Sequence, residues 1–296
     1  MKKFSFSGLS FSLSVNDQLS PVGLPMAIIE QEDTDLASDI HINVDIGTLE
    51  EDVPGGPAKL KRGRMEAYGS NETLVWVHPE IGPVSVTDSN KGKIDIVLPA
   101  WAWQKTENIF DQLVLPAILP AFAMRGLRGV HASSIEVHKK GILIAGPSGS
   151  GKTTTALYAI SNGAHLISDD MTFMFMEDSK RMIGGLGDGI KAHDYTWDRF
   201  RYLQPGSVDL AGKRLLRQDR VPWVKKSPLK YGLIFTNKFG NQERIKDKNA
   251  IPLLLELCYH ISENEIILRL LTSILKEVPF YAVKGPESAA EFIQKI

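Results

Sequence analysis

The chain has 296 residues, of which 43% are hydrophobic and 23% charged, and a formal net charge of −1. That make-up belongs to a globular protein of one large or two ordinary domains with proper hydrophobic cores. Balanced charge argues against wholesale nucleic-acid binding, and a single cysteine, Cys258, excludes an internal disulfide and fits a reducing cytoplasm.

The first residues, MKKFSFSGLSFSLSVND, carry two lysines and several apolar side chains. Serine interrupts each apolar pair, so the continuous apolar stretch of a signal peptide is missing. Alternation of Phe11, Leu13 and Val15 with serines predicts a half-exposed strand instead. Glu30 to Asp52 holds nine acidic residues and no Lys or Arg, which reads as a solvated face or loop. TLVWV, GPVSV and KIDIVL read as further strands, separated by the turn-forming VPGGPAK, HPEIGP and DSNKGK. No helix-length periodicity is evident before about residue 105. Residues 1–125 are therefore expected to form a β-rich N-terminal domain that ends in a helical connector, TENIFDQLVLPAILPAFAMRG. Thr106 is its expected N-cap, with Glu107 beside it, and Gly126 its stop. Its apolar stretch, Leu113 to Met124, is only 12 residues long and contains Pro116 and Pro120, too short to span a bilayer as a helix.

From residue 126 to 296 strands alternate with helices, the pattern of an α/β nucleotide-binding domain. GVHASSIEV and GILIAG read as strands, GKTTTALYAISNG opens a helix, and AHLISDD is a strand again. KYGLIFT is a strand, residues 250–277 hold two helical stretches, VPFYAVK is a strand, and a helix closes the chain from about 287. Cys258, within IPLLLELCYH, reads as core rather than catalyst.

Gly146, Pro147, Ser148, Gly149, Ser150, Gly151, Lys152 and Thr153 match G-x-x-x-x-G-K-[ST] at every fixed position, with an apolar strand before and a helix-forming run after. Such a loop turns successive N–H groups inward around phosphate oxygens, at the positive end of the helix that follows. Gly146, Ser148, Gly149, Ser150, Gly151, Lys152, Thr153 and Thr154 are thus the expected nucleotide-binding residues. Lys152 reaches the β- and γ-phosphates and the Thr153 hydroxyl completes a Mg²⁺ shell. Asp169 and Asp170 end the next apolar strand, where phosphate-loop proteins place a Mg²⁺-orienting carboxylate. Two neighbouring carboxylates allow one to hold the metal while the other takes a proton from an attacking hydroxyl; a hydrolase could use the same pair on water. His131 lies on the strand ahead of the loop, where a hydrogen-bonded core role and a functional one both fit.

Lys191 to Lys230 contains ten Lys and Arg against four Asp. Most of these read as a solvated basic face, but Lys191, Lys213 and Arg214 are candidates to stabilise a transferring phosphoryl group. Tyr195, Trp197, Phe200 and Tyr202 in the same segment read as core or as the lining of a peptide or adenine pocket.

The run HASSIEVHKKGILIAGPSGSGKTTTALYAISNGAHLISDD resembles the HPr kinase/phosphorylase family, which shares its core with the phosphoenolpyruvate carboxykinases. The resemblance implies an ATP- and Mg²⁺-dependent kinase that phosphorylates a serine, often on a protein or peptide. It makes Asp170 the general base, Asp169 (with Thr153) the metal partner, and His131 a neighbour that tunes their charge. It also implies self-association. Two departures stand out. After the carboxylates the chain reads RMIGGLGDGIKAHD, which keeps GLG but places Met182 where a metal-binding glutamate would fall. The N-terminal half resembles the small β-rich domain of HPr-kinase-related proteins from peptide-modifying gene clusters, including kinases of the C-terminal serine of lasso-peptide precursors. A small-molecule kinase, or a nucleotide-dependent assembly module without phosphorylated product, remain the alternatives; neither nucleic acid nor membrane is an expected partner.

Overall fold

Alternation of buried and exposed side chains builds the first half of the chain. The computed structural model describes residues 2–6, 9–16, 39–62, 64–70, 72–105, 113–186, 189–203, 205–206, 213–258 and 264–296. These fall into two compact units, one within residues 1–127 and one within 128–259 and 264–296.

The first unit is an eight-stranded sheet. Its strands are β1 (Lys2–Phe6), β2 (Leu9–Val15), β3 (Ile40–Ile46), β4 (Leu60–Arg62), β5 (Met65–Gly69), β6 (Thr73–His78), β7 (Gly82–Asp88) and β8 (Lys93–Leu98). Their spatial order is β1-β2-β3-β8-β7-β6-β5-β4, with β3 parallel to both β2 and β8. In β3, Ile40, Ile42 and Val44 are buried while His41, Asn43 and Asp45 face out, the period of two expected of a strand covered on one side. The acidic run is thus partly a strand rather than a loop, its apolar positions turned inward. A short helix, α1 (Ala100–Lys105), lies where the sequence shows no helical period.

The expected connector helix is α2 (Leu115–Met124); its proposed cap Thr106 and neighbour Glu107 lie outside the described residues. It packs on the sheet, with Phe122 against Phe11 at 5.0 Å between ring centroids and the Thr87 hydroxyl donating to the Ala117 carbonyl. Gly126 does end it. With φ of +84°, Gly126 donates its N–H to Ala123 and Leu127 donates to Phe122, a Schellman termination that favours glycine.

Among the described residues the second unit holds a mixed nine-stranded sheet with helices on both faces and a separate two-stranded ribbon. In chain order it comprises β9 (Arg128–Val130), β10 (Ala132–Val137), β11 (Lys140–Ala145), α3 (Lys152–Ser161), β12 (His165–Ser168), β13 (Thr172–Glu177) and β14 (Lys180–Gly184). There follow β15 (Gly189–His193), α4 (Asp194–Trp197), β16 (Lys213–Arg217), β17 (Lys226–Phe235), β18 (Arg244–Ile245), α5 (Asp247–Leu257), α6 (Asn264–Leu275), β19 (Phe280–Val283) and α7 (Pro286–Gln294). The order is β12-β10-β11-β17-β14-β13-β9, with β19 joined to β17 and β18. β17 is long enough to serve two neighbourhoods: its first residues pair antiparallel with β14, its last pair parallel with β11 and β19.

On one face, Ile135, Ile142, Ile144 and Leu233 meet Ala156 and Ala159 of α3 and Ala289 and Ile293 of α7. On the other, Leu143, Ile183 and Ile234 meet Leu254 of α5 and Leu271 and Ile274 of α6. With both faces covered, β11 is an unbroken apolar run, as buried parallel strands are. The GVHASSIEV segment, expected as one strand, is two. The chain changes partners at His131: β9 pairs with β13, whereas β10 pairs with β11 and β12. The His131 N–H turns instead to the Leu257 carbonyl. Among the described residues no helix is long and apolar enough to cross a membrane.

Candidate phosphate-binding and carboxylate site

Strand register brings the candidate residues together. Ala132 lies opposite Ala145 and Ser134 opposite Ser168, so His131, Gly146 and Asp169 all emerge at one end of the sheet. That end is the carboxyl end of the parallel strands β11, β17 and β19, where α/β folds bind ligands.

The loop after β11 turns on glycines held in left-handed conformations: Gly149 has φ of +75° and Gly151, at the N-cap of α3, +105°. A Cβ on Gly146 would sit 2.7 Å from the Phe235 side chain, and one on Gly151 3.1 Å from Pro286. The Ser150 hydroxyl is buried without a hydrogen-bond partner, as expected of a cradle made to wrap an oxygen-rich anion. Lys152 is buried, 6% exposed. Its Nζ donates to the carbonyls of Gly146 and Pro147, at 2.9 and 3.0 Å, and lies 3.1 Å from His131 Nε2. Burial pulls its pKa down, against the pull of Asp170 and Asp169.

The two carboxylates have opposite surroundings. Asp169 is buried and accepts hydrogen bonds from the Ser133 hydroxyl, the Thr153 hydroxyl and the Lys191 backbone N–H. Burial pushes its pKa up, and the charge of Asp170 adds to this, against those hydrogen bonds. A divalent cation beside it reverses that balance, so Thr153 and Asp169 fit a Mg²⁺ partner. Among the described residues no group of three or more His, Cys, Asp and Glu converges. Asp170 takes a left-handed backbone, φ +68°, which swings its side chain outward, 67% exposed, to meet His131 Nδ1 at 3.1 Å. Desolvation by the surrounding protein opposes ionisation of this partly exposed carboxyl, but the His131 hydrogen bond and the charges of Lys213 and Lys152 prevail and lower its pKa to about 2.

The ribbon of β15 and β16 supplies the second wall. Ile190, Ala192 and Leu216 pack with Trp197 and Phe200 onto Leu157 and Ile160 of α3, so alternation turns Lys191 and His193 the other way. His193 lies opposite Lys213 and Ala192 opposite Arg214. Lys191 and Lys213 consequently line a cavity of about 310 Å³ with loop residues Ser148 to Thr154. Arg214, one position out of phase, pairs instead with Asp194 at 2.6 Å and is not among the residues lining that cavity. Trp197 and Phe200 are core, whereas Tyr195 and Tyr202 are exposed. Gly187 and Asp188 lie outside the described residues. Met182 is buried in β14, its thioether part of the sheet's packing.

Sequence reasoning overlooked Ser133, Arg199 and Pro286. Ser133 had a signal: it stands two residues after His131, on the same face of the single strand expected over GVHASSIEV. Arg199 and Pro286 reach the cavity only through tertiary packing.

Residues 123–193 match the family model for the HPr serine kinase C-terminal domain. That segment is similar to the C-terminal domain of HPr serine kinases. Over 96 residues it is 37% identical to the HPr kinase/phosphorylase of Lactobacillus gasseri and 28% identical to that of Lactobacillus johnsonii, in each case 32% of this chain and 28% of the relative. The chain thus spans under a third of the length of these relatives. The solved Hpr(Ser) kinase/phosphatase of Coxiella burnetii aligns over 56% of this chain and 88% of that one, at 14% identity and a TM-score of 0.33. The matched segment contains His131, the loop and both carboxylates, as the sequence resemblance implied.

Proposed function

We propose that the protein is an ATP- and Mg²⁺-dependent kinase that transfers the γ-phosphoryl group to a serine hydroxyl of a peptide or small protein. The observation that carries this reading is the division between the two carboxylates. Asp169 is buried against the Thr153 hydroxyl, whereas Asp170 is turned outward and ionised beside His131. A hydrolytic switch needs only a positioned water; an exposed carboxylate at the mouth of the site suits an incoming hydroxyl.

Loop residues 146–154 would hold the triphosphate, and Thr153 with Asp169 the Mg²⁺, which neutralises charge on the phosphates when bound. Lys152 sits at the centre of the loop, its ammonium already desolvated, so its field on phosphate oxygens is strong. Asp170 accepts the hydroxyl proton. Its low pKa makes it a weak base, but proton transfer is late in a loose phosphoryl-transfer transition state, so orientation counts more than basicity. His131 bridges Lys152 and Asp170 and holds the carboxylate in place.

The specific acceptor we infer is the C-terminal serine of a lasso-peptide precursor, on the resemblance of the N-terminal half to kinases of such clusters. Incubation of the full chain with ATP, Mg²⁺ and serine-ended peptides, read by mass spectrometry, is expected to give a single 80 Da addition at the terminal serine. ADP release without modified peptide would refute the kinase reading. Modification of internal serines alone would refute the terminal acceptor while leaving the kinase in place.

A further inference from the structure

We propose that His193 and Tyr195 form the subsite for the base of the nucleotide, an inference that rests on the nucleotide-dependent reading above. The cavity of about 310 Å³ has the phosphate loop on one wall and Lys191, His193, Tyr195 and Lys213 on the other, a size in the range of small-ligand pockets. His131, Asp169 and Asp170 do not line it; His131 meets Lys152, Asp169 meets Thr153, and Asp170 meets His131. The cavity therefore suits the donor molecule, and the carboxylate side the acceptor.

The ribbon also gives the cavity a direction. The Lys191 N–H bonds to Asp169, so β15 passes that carboxylate at its middle residue and runs on to His193. Two strand residues advance the chain by roughly 6–7 Å, which places His193 that much farther along the ribbon than Lys191, and Tyr195 follows in the first turn of α4. At that far end the His193 and Tyr195 rings stack, centroids 5.6 Å apart and planes 17° from parallel. Tyr195 is 69% exposed. The neighbouring aromatics Trp197 and Phe200 are consumed by the core beneath α3, whereas His193 and Tyr195 both line the cavity. A stacked aromatic pair that lines a cavity beside a phosphate cradle is a platform for a flat heteroaromatic ring, which stacks with little dependence on hydrogen-bond pattern. Pro286, packed against Gly151, supplies an apolar edge to the same cavity.

Calorimetric titration of the full chain with Mg-ATP and, separately, with Mg-tripolyphosphate distinguishes base from phosphate binding. The wild-type protein is expected to bind ATP at least tenfold more tightly. Tyr195→Ala should weaken ATP by about tenfold and leave tripolyphosphate within twofold, whereas Tyr195→Phe should retain ATP affinity. Equal affinity of the wild type for the two ligands, or parallel loss of both in Tyr195→Ala, overturns the subsite and leaves the phosphate cradle standing. Unchanged ATP affinity in Tyr195→Ala with a raised KM for acceptor peptide assigns the pair to the acceptor and overturns it too. Binding of neither ligand by the wild type removes the nucleotide reading itself.

Discussion

The Thr153 hydroxyl donates to Asp169, with the two carboxylate oxygens at 3.1 and 3.2 Å, so the phosphate loop and the end of β12 meet at one buried carboxylate. That carboxylate's pKa lies above its ordinary value of 3.8, chiefly through burial. Its ionisation therefore opposes folding: the penalty is absent below about pH 4 and grows as pH rises through the folded-state pKa. Asp169→Asn removes the buried charge. Differential scanning calorimetry of the ligand-free protein should show a higher Tm for Asp169→Asn at pH 7, with the gain shrinking toward pH 3, while Mg²⁺-dependent nucleotide binding falls. A lower Tm at pH 7 would mean that the hydrogen bonds to Ser133, Thr153 and Lys191 outweigh the burial.

Asp170 differs in sign and in expected effect. Its folded pKa of about 2 lies below the ordinary carboxylate range, so its favourable contribution is complete above about pH 4 and is lost as pH falls toward 2. Asp170→Asn is expected to leave ATP affinity within about threefold and to lower single-turnover phosphoryl transfer by roughly 10²–10⁴-fold, the usual reach of a general base. Loss of affinity without a specific loss of transfer would contradict the assignment.

His131 provides an independent check on the same carboxylate. Its ring hydrogen-bonds to the Asp170 carboxylate and favours the ionised form. Without it, burial is left opposed by Lys213 and Lys152 alone, and the Asp170 pKa rises. The pH–rate profile of His131→Ala should accordingly show its acid limb at higher pH than that of the wild type. Superimposable acid limbs would disconnect His131 from Asp170.

The loop and the carboxylate pair were legible in the sequence because they are local: GPSGSGKT and SDD each carry their chemistry within a few residues, bounded by apolar strands. The strand break at His131 was not legible. GVHASSIEV holds no Gly, Pro, Asn or Asp between Val130 and Val137, and only the competing partners β13 and β11 divide it. The β13–β14 hairpin was missed because FMFME and RMIG are buried too continuously for a period of two to show. The acidic run hid β3 because charge dominates its composition while Ile40, Ile42 and Val44 set its conformation. Lys213 and Arg214 are equivalent as a basic cluster and become different only once the ribbon register is known.

Gly185 explains why GLG persists after the carboxylates. A Cβ there would lie 2.4 Å from the Ser168 side chain and 2.8 Å from the Ile167 carbonyl, so any larger residue displaces the end of β12 that carries Asp169 and Asp170. Gly185→Ala should lower transfer at least tenfold, because small misplacements of a catalytic group are severe, and should lower Tm as well. Retained activity would show that the strand end can shift without moving the carboxylates.

The ribbon register makes its own prediction for the basic pair. Lys213, opposite His193, lines the cavity and acts on both Asp170 and Lys152. Arg214, opposite Ala192, is committed to Asp194 on the other side. A cation facing a transferring phosphoryl group contributes in the transition state, whereas a partly exposed ion pair contributes about 0–1 kcal/mol to stability and nothing to chemistry. Lys213→Ala should lower kcat by roughly ten- to a hundredfold and Arg214→Ala by less than twofold, with both proteins folded by circular dichroism. Equal losses would indicate that charge in the segment matters but its phase does not. The reverse order would place Arg214, and not Lys213, on the phosphate side of the ribbon.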